Sequence, residues 1–150
     1  MDEIVFSRES SWLPFVTRHE HKLLLQVVGG ADALHQPREF SFPIAEAHLA
    51  VISSSLTRHL LLYCALTPLA SKAGSGGVLD EEAAVALLDP ILLSEDGDVD
   101  RIFWKIPWDK RLLLAHGANF RLLKRVQLVA ALRHATVQTD WSRARRYLGP

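Results

Sequence analysis

Along the first third of the chain, short apolar runs with polar interruptions at a spacing of two predict strands. Ile4-Val5-Phe6 is β-prone, and Lys22-Leu23-Leu24-Leu25-Gln26-Val27-Val28 runs into the pair Gly29-Gly30. Glu39-Phe40-Ser41-Phe42 alternates polar with aromatic, and Pro43 is expected to stop it. Three short strands suit an antiparallel meander. Residues 10–18 stay open: Trp12, Phe15 and Val16 suit one helical face, whereas Pro14 is comfortable only in a first turn.

After Pro43 the apolar period becomes helical. Leu49, Ile52, Leu56, Leu60, Tyr63 and Leu66 recur at steps of three and four, predicting one helix over residues 45–70 with Glu46, Ser54 and Arg58 towards water. Pro68 removes a backbone donor and crowds the turn before it, so it should kink or end this helix and leave residues 71–77 as a loop. Asp80 reads as an N-cap with Glu81 and Glu82 in the first turn, and that helix should break around Pro90. Residues 94–100 read as an acidic loop, 101–105 as a short helix, and 109–116 as a short element closed by Gly117. Asn119 should cap a helix over residues 120–134, and Asp140 a last one over 141–148. Strands first and helices afterwards predict an α+β fold. A small N-terminal antiparallel sheet (residues 1–44) is followed by a C-terminal helical region (45–150) packed on it, all in one domain.

Composition fits that picture: 150 residues, 49% of them hydrophobic and 23% charged, suffice for one core without disulfides. Cys64 is the only cysteine, which excludes an intramolecular disulfide and points to a reducing compartment. The longest apolar runs are too short to span a bilayer, and Met1-Asp2-Glu3 is unlike a signal peptide. The expectation is a soluble cytoplasmic protein, without a membrane anchor.

Charge changes the picture more. Residues 1–100 hold six Lys or Arg against fifteen Asp or Glu, and residues 101–150 hold eleven against two, so the parts carry −9 and +9 behind a net charge of zero. Arg121, Lys124 and Arg125 fall in the opening turns of the predicted helix, where the macrodipole disfavours cations and something negative should compensate. The expected compensator is the stretch 74–100, with eight acids and no Lys or Arg. Nucleic acid is the less favoured one, because a neutral chain lacks the basicity of backbone binders; Arg133, Arg143, Arg145 and Arg146 would extend that surface.

Chemistry-bearing residues are sparse. His116, before Gly117 and near Asp109 in sequence, is the catalytic candidate, since a carboxylate would hold its tautomer for acid/base work. Phe103, Trp104 and Trp108 around Pro107 are either satellite core or the wall of a pocket for a flat ligand. His19-Glu20-His21 is read as a polar hairpin turn in preference to a metal site, and no cofactor or metal is expected. His48 and His59, eleven apart on one helix, are too distant to act on one atom, and His59 borders the apolar stripe as a core histidine. Cys64 among leucines reads as core, and Gly74-Ser75-Gly76-Gly77 lacks the sequel of a P-loop. No Gly-x-Ser-x-Gly, paired CxxC or His-Glu-x-x-His occurs.

Trp12-Leu13-Pro14, His48-Leu49, Arg58-His59-Leu60-Leu61-Leu62, Asp89-Pro90 and Trp108-Asp109-Lys110-Arg111 leading to Ala115-His116-Gly117 together make the chain resemble an uncharacterised family of small actinobacterial proteins. The resemblance implies a bacterial, soluble, single-domain protein and assigns no residue a role.

Two functions follow as expectations. The first is a non-catalytic binding protein for a protein partner or small molecule, accessory or immunity/antitoxin-like. It would use Glu81, Glu82, Asp96 and Asp98 against a basic partner, or Arg121, Lys124 and Arg125 against an acidic one, with self-association into a homodimer left open. The alternative is a small cofactor-free enzyme of isomerase or cyclase type, with His116 and Asp109 in a pocket walled by Trp104 and Trp108.

Overall fold

In this computed structural model, which describes residues 3–8, 13–29, 38–74 and 76–137, the chain opens with a four-stranded antiparallel meander. Its strands are β1 (Glu3–Phe6), β2 (Phe15–His19), β3 (Lys22–Gly29) and β4 (Arg38–Ile44), in that order across the sheet. The ambiguous stretch is therefore strand from Phe15 onwards. Glu20 and His21 form the two-residue turn between β2 and β3, both with positive φ (48° and 71°), the left-handed geometry that matches the twist of a tight hairpin. Pairing puts Val16, Leu25 and Phe42 in one row across three strands, beside Val27 with Phe40 and Leu23 with Ile44. All seven are buried, and α2 and α3 pack on β3 and β4. Pro43 does not stop β4, which continues to Ile44: β4 lies at the sheet edge, where a missing N–H is tolerated.

Among the described residues seven helices follow: α1 (Glu46–Ser54), α2 (Leu56–Ala73), α3 (Glu81–Leu92), α4 (Asp96–Ile102), α5 (Lys110–Ala115), α6 (Phe120–Lys124) and α7 (Leu128–Ala131). The single helix expected over residues 45–70 is two helices meeting at 113°. Ser55 ends α1 and caps α2, its Oγ accepting the Arg58 N–H at 3.2 Å. α2 then runs through Pro68 to Ala73. Cys64 O, the carbonyl that a residue-68 N–H would have bonded, accepts instead from the Asp109 N–H at 3.0 Å. α3 likewise continues through Pro90 to Leu92. The acidic stretch is not a loop, because residues 96–102 form α4. The helix expected over residues 120–134 is interrupted at Val126, with φ of 55°. The expected helix over 141–148 lies outside the described residues.

Strands and helices share a continuous core, from Val16 and Leu25 through Leu60, Leu62 and Ile91 to Leu113, Leu123 and Leu128. Among the described residues no single helix is long and apolar enough to cross a membrane.

Candidate functional site

Local turns place most of the candidate residues. Asp109 is the N-cap of α5, its Oδ1 accepting the Leu112 N–H at 3.2 Å, and His116 lies just past the end of the same helix. His116 Nδ1 faces the Thr136 carbonyl at 3.1 Å and donates to it, and burial lowers its pKa. Among the described residues no hydrogen bond joins His116 to Asp109. The aromatic group divides as well. Phe103 is buried and meets Trp108 edge-on at 6.2 Å, while Trp104 is 69% exposed, so these three do not wall one pocket.

His48 and His59 are structural. His48 Nδ1 accepts the Ala45 N–H at 2.9 Å, which leaves the proton on Nε2 to donate to Asp89 Oδ1 at 2.6 Å. His59 is fully buried, accepts Arg8 Nε on Nδ1 at 3.0 Å and donates from Nε2 to Pro14 O at 2.7 Å. Burial first, and then the charge of Arg8 and the nearby His116, push the His59 pKa down to about 4, so its ring is neutral. Buried Cys64 has a thiol pKa well above the usual value because its thiolate would lose solvation, which leaves it inert. His19, Glu20 and His21 are spent on the hairpin turn, and among the described residues no group of three or more His, Cys, Asp or Glu is placed to hold a metal.

Charged residues divide into those used internally and those left on the surface. Arg58 donates to Ile91 O and Ser94 O, both at 2.8 Å, and to Asp96 Oδ1 at 2.7 Å, tying α2 to α3 and α4. Asp98 pairs with Arg101 at 2.6 Å. Asp100 Oδ1 accepts the Leu128 and Val129 N–H groups at 3.0 and 3.1 Å, so an acid of the first block caps α7 in the second. Asp96 and Asp98 therefore have partners within the fold.

The basic residues of α6 do not. Arg121, Lys124 and Arg125 are exposed and make no ion pair among the described residues, contrary to the expected pairing with the acidic stretch. Their helix has five residues, so Lys124 and Arg125 lie at its C-terminal end, where the dipole favours cations. The inferred need for a compensating anion disappears with the long helix. Phe120 stands half-exposed among them, with Lys110 Nζ 4.9 Å and Lys124 Nζ 5.5 Å from its ring centre. Nothing in the sequence pattern marked Phe120, because its exposure depends on where the α6 break falls. Glu81 and Glu82, in the first turn of α3, are likewise exposed without an ion pair among the described residues, beside 40%-exposed Val85.

Two adjoining clefts open next to these helices. One, of about 450 Å³, is lined by Ser55, Arg58, Asp96, Asp100 and Arg133, and the other, of about 510 Å³, by Asn119, Leu122, Ala131, Arg133 and His134. Arg133 borders both, and its guanidinium makes no hydrogen bond or ion pair among the described residues.

The model of a family of unknown function, DUF6357, matches residues 1–149. The chain belongs to this family. The match bears out the resemblance to an uncharacterised family, without its actinobacterial origin, and the family attaches no activity to His116, Asp109 or the charged faces. No curated protein and no solved structure matches the chain.

Proposed function

We propose that this DUF6357 protein works by binding and not by chemistry of its own, as an accessory or immunity/antitoxin-like partner of a charged protein in the bacterial cytoplasm. One observation carries the reading: Glu81 and Glu82 on α3, and Arg121, Lys124 and Arg125 on α6, are exposed and without ion pairs among the described residues. Charges used only to hold the fold together would have internal counterparts, as Asp96 and Asp98 do. Unpaired charge around a half-exposed ring suits a surface that steers and anchors an oppositely charged partner. A buried, inert Cys64 suits a reducing compartment.

The test is affinity capture from cells of the source organism, followed by reconstitution of the purified pair. Salt should weaken the complex, and either Glu81→Lys with Glu82→Lys, or Arg121→Glu with Lys124→Glu and Arg125→Glu, should abolish it. A reconstituted complex indifferent to salt and to both variants rejects the reading.

A small-molecule version is favoured by Arg133, whose unpaired guanidinium borders both clefts. An anionic ligand there should raise the melting temperature of the wild type and not of Arg133→Ala. A panel of small carboxylates and phosphates that leaves the wild type unmoved removes this version. The acid/base enzyme is the weaker alternative, because Asp109 is committed to capping α5.

A further inference from the structure

We infer that the partner of the α6 face is the acidic α3 face of a second copy of this chain, so that molecules associate head to tail. This rests on the binding reading above and names its partner. The two faces have the same anatomy with opposite sign. On α6, Phe120 is 52% exposed with the Lys110 and Lys124 ammonium groups over its ring, and Arg121 and Arg125 are exposed on the same short helix and at its C-cap. On α3, Glu81 and Glu82 precede Val85 by four and three residues, which puts all three on one side of the helix, and Val85 is 40% exposed. Val78, just before this helix, is 87% exposed. Each face is an apolar centre with a rim of a single charge, the arrangement of a protein–protein contact.

Complementarity extends to the whole chain, whose two parts carry −9 and +9 and sum to zero. A molecule with no net charge has no long-range repulsion to oppose self-association, and its opposite faces attract. Because the two faces differ, the contact either repeats reciprocally across a two-fold axis or propagates into a ring or chain.

Sedimentation of the full chain tests this. At about 0.01 M salt, where charges are felt over about 30 Å, a species heavier than the monomer should form, and at about 1 M salt, where they are screened beyond about 3 Å, it should be lost. Glu81→Lys/Glu82→Lys has two basic faces and Arg121→Glu/Lys124→Glu/Arg125→Glu two acidic ones, so each alone should stay monomeric in low salt. Mixed in equal amounts they should associate again. A wild type that is monomeric in low salt, a variant that still associates alone, or a mixture that stays monomeric each overturns the inference. Charge-dependent capture of a different protein by a monomeric wild type would leave the binding reading standing and remove only its homotypic form.

Discussion

His59 illustrates how much of this fold hangs on single side chains. It lies on α2, yet its ring joins Arg8 and Pro14, residues 51 and 45 positions away, and so fastens the N-terminal segment to the core. Only a neutral imidazole both accepts from Arg8 and donates to Pro14. Its pKa falls from 6.5 unfolded to about 4 folded, so below pH 6.5 the unfolded chain binds more protons than the native one. The stabilisation is complete above pH 6.5 and drains away as pH falls towards 4, amounting to about 3 kcal/mol over that window. His116, also lowered by burial, adds to the same trend. Denaturant unfolding followed against pH should therefore show stability declining below pH 6.5, with a shallower decline in His59→Gln; equal slopes would contradict the assignment. That His59 belongs to the core was legible from its place in the apolar stripe. Its partners were not, because Arg8 is brought to it by the path of the chain after β1 and not by any local pattern.

Elements show where local rules hold and where neighbours overrule them. Asp80 and Asn119 cap helices through bonds that reach three residues ahead, so both were legible in the sequence, while Asp109 caps α5 in the same way although it was read as a partner of His116. The breaks at Ser55 and Val126 could not: apolar steps of three and four continue across both, and only packing decides that the axis turns. Pro68 shows the converse. A proline in mid-helix costs about 3 kcal/mol in isolation, and α2 survives it because Asp109 supplies the donor that Cys64 O would otherwise lack. In Pro68→Ala the restored N–H competes for that carbonyl. The Asp109 amide should then exchange with solvent faster than in the wild type, and the stability gained should fall short of about 3 kcal/mol. Unchanged protection of the Asp109 amide would show that this contact does not sustain the helix.

At the scale of the molecule, the two charged blocks meet at few points among the described residues. Arg101 with Asp98, and Asp100 with the backbone of α7, join them, while the α6 cations and the α3 carboxylates stay on the surface. That division underlies both proposals, since charge not used inside is available outside. The sequence by itself determined the α+β order, the meander, the hairpin turn at Glu20 and His21, the caps and the single apolar core, because period, turn chemistry and capping act over a few residues. It also contained the charge split as a plain count. Only the tertiary structure decided which charges find partners, that Trp104 faces out while Phe103 and Trp108 pack together, and that the His116 ring bonds Thr136 and not Asp109. Those outcomes depend on helix bends and long-range hydrogen bonds, whose free energy exists only once distant segments have met.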